Sequence, residues 1–232
     1  MSRDFRLVGD PARIAALREW LDAGGIDRGV EPRSAATVLV LRQGSEGVEV
    51  ITLKRAATMA FAPSMHAFPG GSVDERDSGV ELADDIVQRA ALAMRASAEV
   101  ARRHLAAALR EVNEETGIVL RPEDLRVRGR WLTPVFDRRR YDTWILAAVI
   151  PPGEILQHLT SEAVSMQWSR PQDILDAFER DELLMLPPTM HALEQLAAAS
   201  SLEDYLAMPA DPRVVMPRLF DEGGVLGLRV DL

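Results

Sequence analysis

The residues best placed to do chemistry lie in the stretch "LREVNEETGI", Leu109 to Ile118, which carries Glu111, Glu114 and Glu115 beside Arg110. On a helix of 3.6 residues per turn these acids stand at i, i+3 and i+4, so their carboxylates share one face. Each exposed like-charge pair of this kind costs about 0.2–0.5 kcal/mol. Gly117 is the expected left-handed end of the helix, and it puts Glu114 and Glu115 in the last turn, where the helix dipole favours cations. Two readings follow. One is a solvated acidic face; the other is a site for a hard divalent cation, since Mg²⁺ takes a few carboxylates, keeps several waters and shares substrate phosphates. Upstream, "AFPGGSVDERD" supplies Gly70, Gly71 and Asp77, a glycine turn followed by an acid.

These residues need strands and helices to hold them. Ile14, Leu17 and Leu21 give Pro11 to Ala23 helical spacing, ended by Gly24-Gly25. The segment "SAATVLVLRQGSEGVEVITLKR" reads as a hairpin of Ala35 to Arg42 and Val48 to Lys54, and "HAFPGG" as a short strand entering a glycine turn. From Val80 to Thr116 good helix formers dominate, predicting one broken helix or two consecutive ones. Strand patterns return in "LRVRGRWLTP", "YDTWILAAVIP" and "AVSMQWSR"; helices follow at "PQDILDAFER" and "PTMHALEQLAAA", each opened by proline. Interleaved strands and helices predict an α/β sandwich, taken as one domain over 1–232 with a helical extension over 1–34 and a tail over 201–232.

Composition narrows the function. With 232 residues the chain can bury a sizeable core, and with no cysteine it has neither disulfides nor thiolate metal sites, as suits a reducing compartment. No apolar run approaches a membrane span, so a soluble, cytoplasmic protein is expected. Lys+Arg number 27 against 36 Asp+Glu, a net charge of -9 that disfavours nucleic-acid binding. An anionic small-molecule substrate would then be held by a bound cation rather than by net charge.

Gly71, five residues, Asp77, and then Arg110-Glu111-x-x-Glu114-Glu115-x-Gly117-Ile118 resemble the Nudix box of hydrolases that cleave nucleoside diphosphates linked to another moiety. Two departures stand out. Asp77 replaces the family's Glu, and 32 residues, Ser78 to Leu109, separate it from Arg110 where the family has seven. The excess, about 78–102, reads as a helical insertion. The segment "TLKRAATMAFAPSMHAFPGG" is similar to the coenzyme A diphosphatase branch, whose peroxisomal type also carries an insertion inside the box, although the Arg-x-His-x-Gly element of other members is absent.

The resemblance implies a Nudix-type α/β/α sandwich with a mixed sheet, and hydrolysis of a nucleotide diphosphate with Mg²⁺ or Mn²⁺. Coenzyme A or an acyl derivative is the first substrate, with ADP-ribose, NADH and other diphosphates as alternatives, and a non-catalytic binding module behind them. The metal would be held by Glu111, Glu114, Glu115 and Gly71. Glu111 or Glu114 would accept the water's proton unless a loop base, Glu162 before Glu154, does so, and Arg110 would orient Glu111 or the turn acid. Arg55, His66, Arg139 and Arg140 are substrate candidates, the last two from the run "DRRRYDT". His104, His158 and His191 read as structural, and Trp131, Trp144 and Trp168 as core. Many members of the family are dimers, so the resemblance also leaves room for a homodimer.

Overall fold

The computed structural model describes residues 2–7, 11–27, 29–59, 61–157 and 160–232. In chain order the elements are β1 (Ser2–Arg6), α1 (Pro11–Asp22), β2 (Arg33–Gly44), β3 (Gly47–Arg55), β4 (His66–Ala67), β5 (Gly70–Ser72), a 3-10 turn (Glu75–Gly79), α2 (Asp84–Met94) and α3 (Ala98–Thr116). A second 3-10 turn (Pro122–Asp124), β6 (Arg126–Leu132), β7 (Tyr141–Val149), β8 (Ala163–Ser169), α4 (Pro171–Glu179), α5 (Pro187–Ala198), α6 (Leu202–Ala207), β9 (Asp211–Val215), β10 (Arg218–Glu222) and β11 (Val225–Asp231) follow. They form two compact units. The larger comprises Ala35–Gly129 and Trp144–Pro212; the smaller holds the described residues up to Ser34, Arg130–Thr143 and Arg213–Leu232.

In the larger sheet the strand order is β4-β3-β2-β7-β6-β9, with β5 also on β2 and β8 also on β3. Side chains of a strand alternate between faces, and β2 is buried on both. Val38 and Val40 join the cluster formed with Val87, Met94, Leu105 and Val112 of α2 and α3, while Leu39 and Leu41, equally buried, point to the opposite face. On α2 the buried residues Val87, Ala90, Ala91 and Met94 recur at helical intervals, and α3 packs against the same helix. Helices α4 and α5 pack on each other and α4 on β3, which supplies the other helical layer.

The site depends on how β2 and β3 part. They pair in register from Leu41↔Val50 to Gly44↔Gly47. Beyond that, "HAFPGGS" lies between them: β4 pairs β3 at Leu53↔Ala67, and β5 pairs β2 from Ala35↔Ser72 to Thr37↔Gly70. Val38 N–H donates to Pro69 O at 2.8 Å and Thr37 Oγ1 to the same carbonyl at 2.9 Å, so the wedge is satisfied where the strands separate. Gly70 makes the turn with φ +154°, and a Cβ there would collide with Ala36 O and lie 2.5 Å from Thr37 Cα. Only glycine tolerates that backbone and that approach.

The expected insertion is a helical hairpin. Helix α2 ends with Arg95 in the left-handed region, and α3 begins after Ser97, whose Oγ accepts from Val100 N–H at 3.3 Å. The upper half of α3 prolongs the helix that carries the three glutamates. The expected helical extension over 1–34 needs correction: it contains α1, but it opens with β1, which pairs antiparallel with β11 at Ser2↔Asp231 to Arg6↔Gly227. Local pattern could not reveal that pairing, because the partner lies at the far end of the chain. The tail beyond Ser201 is a short helix and three strands, β10 and β11 completing the small sheet. No described helix is long and apolar enough to cross a membrane.

Gly70→Ala combines a forbidden φ with a backbone collision, and is expected to lower unfolding free energy by about 3 kcal/mol or more. Urea denaturation measures this; a loss below about 1 kcal/mol would mean that the wedge can relax.

Candidate functional site

The buried stripe of α3 runs Ala101, Leu105, Ala108, Val112 and then Glu115. The next core-facing position after an alanine- and leucine-lined series is therefore a carboxylate, only 6% exposed. A solvated acidic face does not look like this. Gly70 N–H donates to Glu115 Oε2 at 2.8 Å, so the β5 turn and the helix end meet on this group. Burial pushes the Glu115 carboxyl up to about 8; the Gly70 N–H and the charge of Arg55 pull it down, and Glu111 and Glu162 push it up. Arg55 and Glu162, 107 residues apart in the sequence, thus act on one carboxylate. The β3–β8 pairing, with Arg55 opposite Ala163, brings them together.

Glu111 closes on the same turn from the helix side. A Cβ on Gly71 would stand 2.5 Å from its Cδ and Oε1, so the carboxylate lies against a backbone that only glycine leaves open. Burial, opposed by Arg110 and reinforced by Glu114 and Asp74, holds the Glu111 carboxyl above its ordinary range. Glu114 is the most open of the three and meets two guanidinium groups, Arg110 Nη1 at Oε2 (3.3 Å) and Arg76 Nη1 at Oε1 (3.2 Å).

Asp77 and Arg110 hold the two halves of the site together across the insertion. Arg110 Nε donates to Asp77 Oδ1 and Nη2 to Oδ2, both at 2.9 Å, a two-pronged pair with the acid 1% exposed. Nη2 also donates to Ser72 O at 3.0 Å, and Nη1 to Glu111 Oε1 at 2.6 Å. The backbone N–H of Asp74 donates to Asp77 Oδ2 at 2.7 Å. Burial alone would raise the Asp77 carboxyl, but Arg110 and the Asp74 N–H outweigh it and hold the group below its ordinary value. The 3-10 turn that carries Asp77 holds its short side chain within reach of Arg110.

The remaining sequence-chosen residues divide. Arg55 Nε donates to Phe61 O at 3.3 Å, and Glu162 is exposed in the turn before β8, its carbonyl accepting from Ala56 N–H. His66 of β4 pairs with Lys54 of β3; its Nδ1 is buried with no hydrogen-bond partner among the described residues, and burial, then the charge of Lys54, lowers its pKa. Glu154 is exposed in the loop after β7. Arg140 is buried in the smaller unit, and its guanidinium donates to Thr133 O at 3.0 Å and Val30 O at 2.9 Å, tying loops together. Arg139, also in the smaller unit, is exposed. His104 is buried with Nδ1 on Val100 O at 2.7 Å, and Trp131 and Trp144 are core. Half-buried Trp168 carries the Arg42 guanidinium at 4.2 Å from its ring centre. His158 lies outside the described residues.

Sequence reasoning missed Asp74 and Arg76. Their only signal was the alternating charge of "DERD", which is common in solvated turns.

The donor set fits a hard cation. Two carboxylates, Glu111 and Glu115, meet a glycine turn with Glu114 on the same helix end, and among the described residues no cation is in hydrogen-bond contact with the buried Glu115. Among the described residues no three acidic or histidine side chains already converge as a cage. Mg²⁺ needs only one or two carboxylates, with water and phosphate completing its shell.

Residues 99–187 match the NUDIX domain. The match begins at α3, after the insertion that separates the two halves of the site. The chain is 29% identical over 146 residues to a protein of Enterobacter sp. (strain 638) described as the uncharacterized Nudix hydrolase NudL, a stretch that is 63% of this chain and 62% of that relative's length. Among solved structures, a NUDIX hydrolase from Alicyclobacillus acidocaldarius superposes with a TM-score of 0.66 at 24% identity, covering 78% of this chain and 98% of the other. The NUDIX domain of NrtR from Shewanella oneidensis, solved with ADP ribose, gives 0.50 at 15% identity, covering 77% and 95%. Residues 99–187 thus match a NUDIX domain, and the chain has the α/β fold of the solved NUDIX hydrolase.

Two outcomes follow from the geometry. Asp77→Asn leaves Arg110 buried beside a neutral amide, and is expected to cost about 3 kcal/mol in urea denaturation; an unchanged midpoint would show that the pair does not join the halves. Glu115→Gln can still accept from Gly70 N–H but brings no charge. Its melting temperature in EDTA should not fall below that of the parent, while the rise on adding Mn²⁺ should shrink. An undiminished rise would remove Glu115 from the metal site.

Proposed function

We propose that the chain is a metal-dependent diphosphohydrolase acting on a nucleoside diphosphate linked to another moiety, with coenzyme A or acyl-coenzyme A as substrate. The observation that carries the reading is the buried Glu115 beside Glu111 and Glu114 at the Gly70-Gly71 turn. Glu111, Glu114, Glu115 and the Gly71 backbone would hold Mg²⁺ or Mn²⁺. When bound, the ion neutralises diphosphate oxygens and acidifies water.

The reaction asks mainly for positioning and charge compensation. Water attacks one phosphorus, the P–O bond of the anhydride breaks, and the second phosphate leaves with the bridging oxygen. With coenzyme A the products are 3',5'-ADP and 4'-phosphopantetheine. Glu162 takes the water's proton in this reading, supported by its exposure at the end of β3–β8 pairing and by its electrostatic reach to Glu115. Arg110 acts as a positioning residue, since its donors are committed to Asp77, Glu111, Glu114 and Ser72 O. Arg55, His66 and Arg139 remain the candidates for substrate contact.

A second reading is favoured by the ADP-ribose complex of the Shewanella oneidensis NUDIX domain: an ADP-ribose or related dinucleotide as the diphosphate. A panel of coenzyme A, acetyl-coenzyme A, ADP-ribose, NADH and dinucleoside polyphosphates with Mg²⁺ or Mn²⁺, products resolved by chromatography, separates the two. Coenzyme A should be cleaved to the two stated products, and Glu114→Gln should lose about 10²-fold or more in kcat, the scale of one transition-state electrostatic contact. Turnover of ADP-ribose without coenzyme A would replace the substrate. Unchanged turnover in Glu114→Gln would remove the site.

A further inference from the structure

The two arginines on Glu114 are not equivalent. Arg110 is 14% exposed and fixed through both edges of its guanidinium by Asp77, Ser72 O and Glu111. Arg76 is 58% exposed and, among the described residues, is held by two carboxylates, Asp74 Oδ2 at Nε and Glu114 Oε1 at Nη1, each at 3.2 Å. It projects from the 3-10 turn that also carries Asp77, so its backbone is held while its head is exposed. Glu114 itself is 41% exposed, the most open of the three acids. An incoming dication that takes Glu114 must displace one guanidinium, and the loosely held one yields first.

We propose that Arg76 is an exchangeable counter-ion: it neutralises Glu114 before the metal arrives, gives up that carboxylate to the dication, and then binds the diphosphate the dication carries. The proposal rests on Glu114 being a metal ligand. Asp74 is what keeps the exchange local. It retains Arg76 Nε while the Nη groups are released, leaving a planar pair of donors beside the carboxylate that has taken the metal, and that geometry suits two phosphate oxygens. An arginine in this role makes metal and diphosphate binding opposed in sign for one residue. Removing it eases entry of the cation and weakens capture of the anion.

The test uses the full chain with Mn²⁺ followed by electron paramagnetic resonance, and then methylenediphosphonate, which has no P–O–P bond to cleave, at saturating Mn²⁺. Arg76→Gln should tighten Mn²⁺ about two- to fivefold, the range of one exposed ion pair, and weaken methylenediphosphonate about fivefold. Arg76→Lys should give an intermediate Mn²⁺ affinity, because an ammonium is a point charge that cannot span Asp74 and Glu114 as a guanidinium does. Circular dichroism should show both variants folded, as expected for an exposed side chain. If Arg76→Gln binds Mn²⁺ as the parent does while Glu114→Gln loses it, the exchange is wrong and the metal site stands. If Arg76→Lys matches the parent while Arg76→Gln tightens, charge at a distance explains the effect and the exchange again fails. Unchanged methylenediphosphonate affinity overturns the capture step. If Glu114→Gln binds Mn²⁺ like the parent, the metal-site reading falls and takes this proposal with it.

Discussion

The site is built around the pairing of Arg110 with Asp77. A buried ion pair repays its desolvation only when geometry is good and the leftover donors are satisfied. Here both conditions hold: two parallel bonds of 2.9 Å join the groups, and the remaining donors reach Ser72 O, Glu111 and Glu114. One guanidinium therefore fixes the turn after β5, the start of the 3-10 turn and the last turns of α3 relative to one another. Because Arg110 also compensates Glu111 and Glu114, the same group that sets the geometry makes the crowding of acids tolerable.

That crowding is resolved differently for each acid. Glu111 leans on Arg110 and on a glycine backbone. Glu114 meets one fixed and one loose arginine. Glu115, placed by helical periodicity on the core side, has a backbone N–H and the more distant charge of Arg55, not enough to offset its burial. A carboxylate left in that state is poor design for stability and good design for a site that receives positive charge. The end of a helix, already negative through its unpaired carbonyls, adds to the same field. Gly117, with φ 74° and its N–H on Asn113 O, then stops the helix before more of it could bury.

Much of this was legible in the sequence. Spacing put Glu111, Glu114 and Glu115 on one face, and glycine pairs marked the turns, because both follow from local geometry. The wedge of "HAFPGG" between β2 and β3, the pairing of β1 with β11 and the commitment of Arg140 to Val30 O and Thr133 O were not legible. Each is a contact between distant segments, and no local pattern distinguishes an arginine that will bind carbonyls from one that will bind phosphate. Asp74 and Arg76 were hidden for a related reason: a charged turn looks solvated until a second element brings a carboxylate to it.

The long insertion is compatible with an intact site because of where it enters and leaves. It departs after the 3-10 turn, whose acid Asp77 is already pinned, and it returns through α3, whose last turns are pinned by Arg110. Between those points α2 packs against α3 through Val87, Ala90, Ala91 and Met94, with small residues allowing close approach, so added chain is absorbed in a hairpin on the helical layer. Lengthening α3 at its N-terminus moves no residue in its C-terminal turns, since each helical residue is placed by its neighbours within a turn. The added chain therefore enters and leaves at points held by the Asp77–Arg110 pair, and its buried side chains Val87, Ala90, Ala91 and Met94 serve the core.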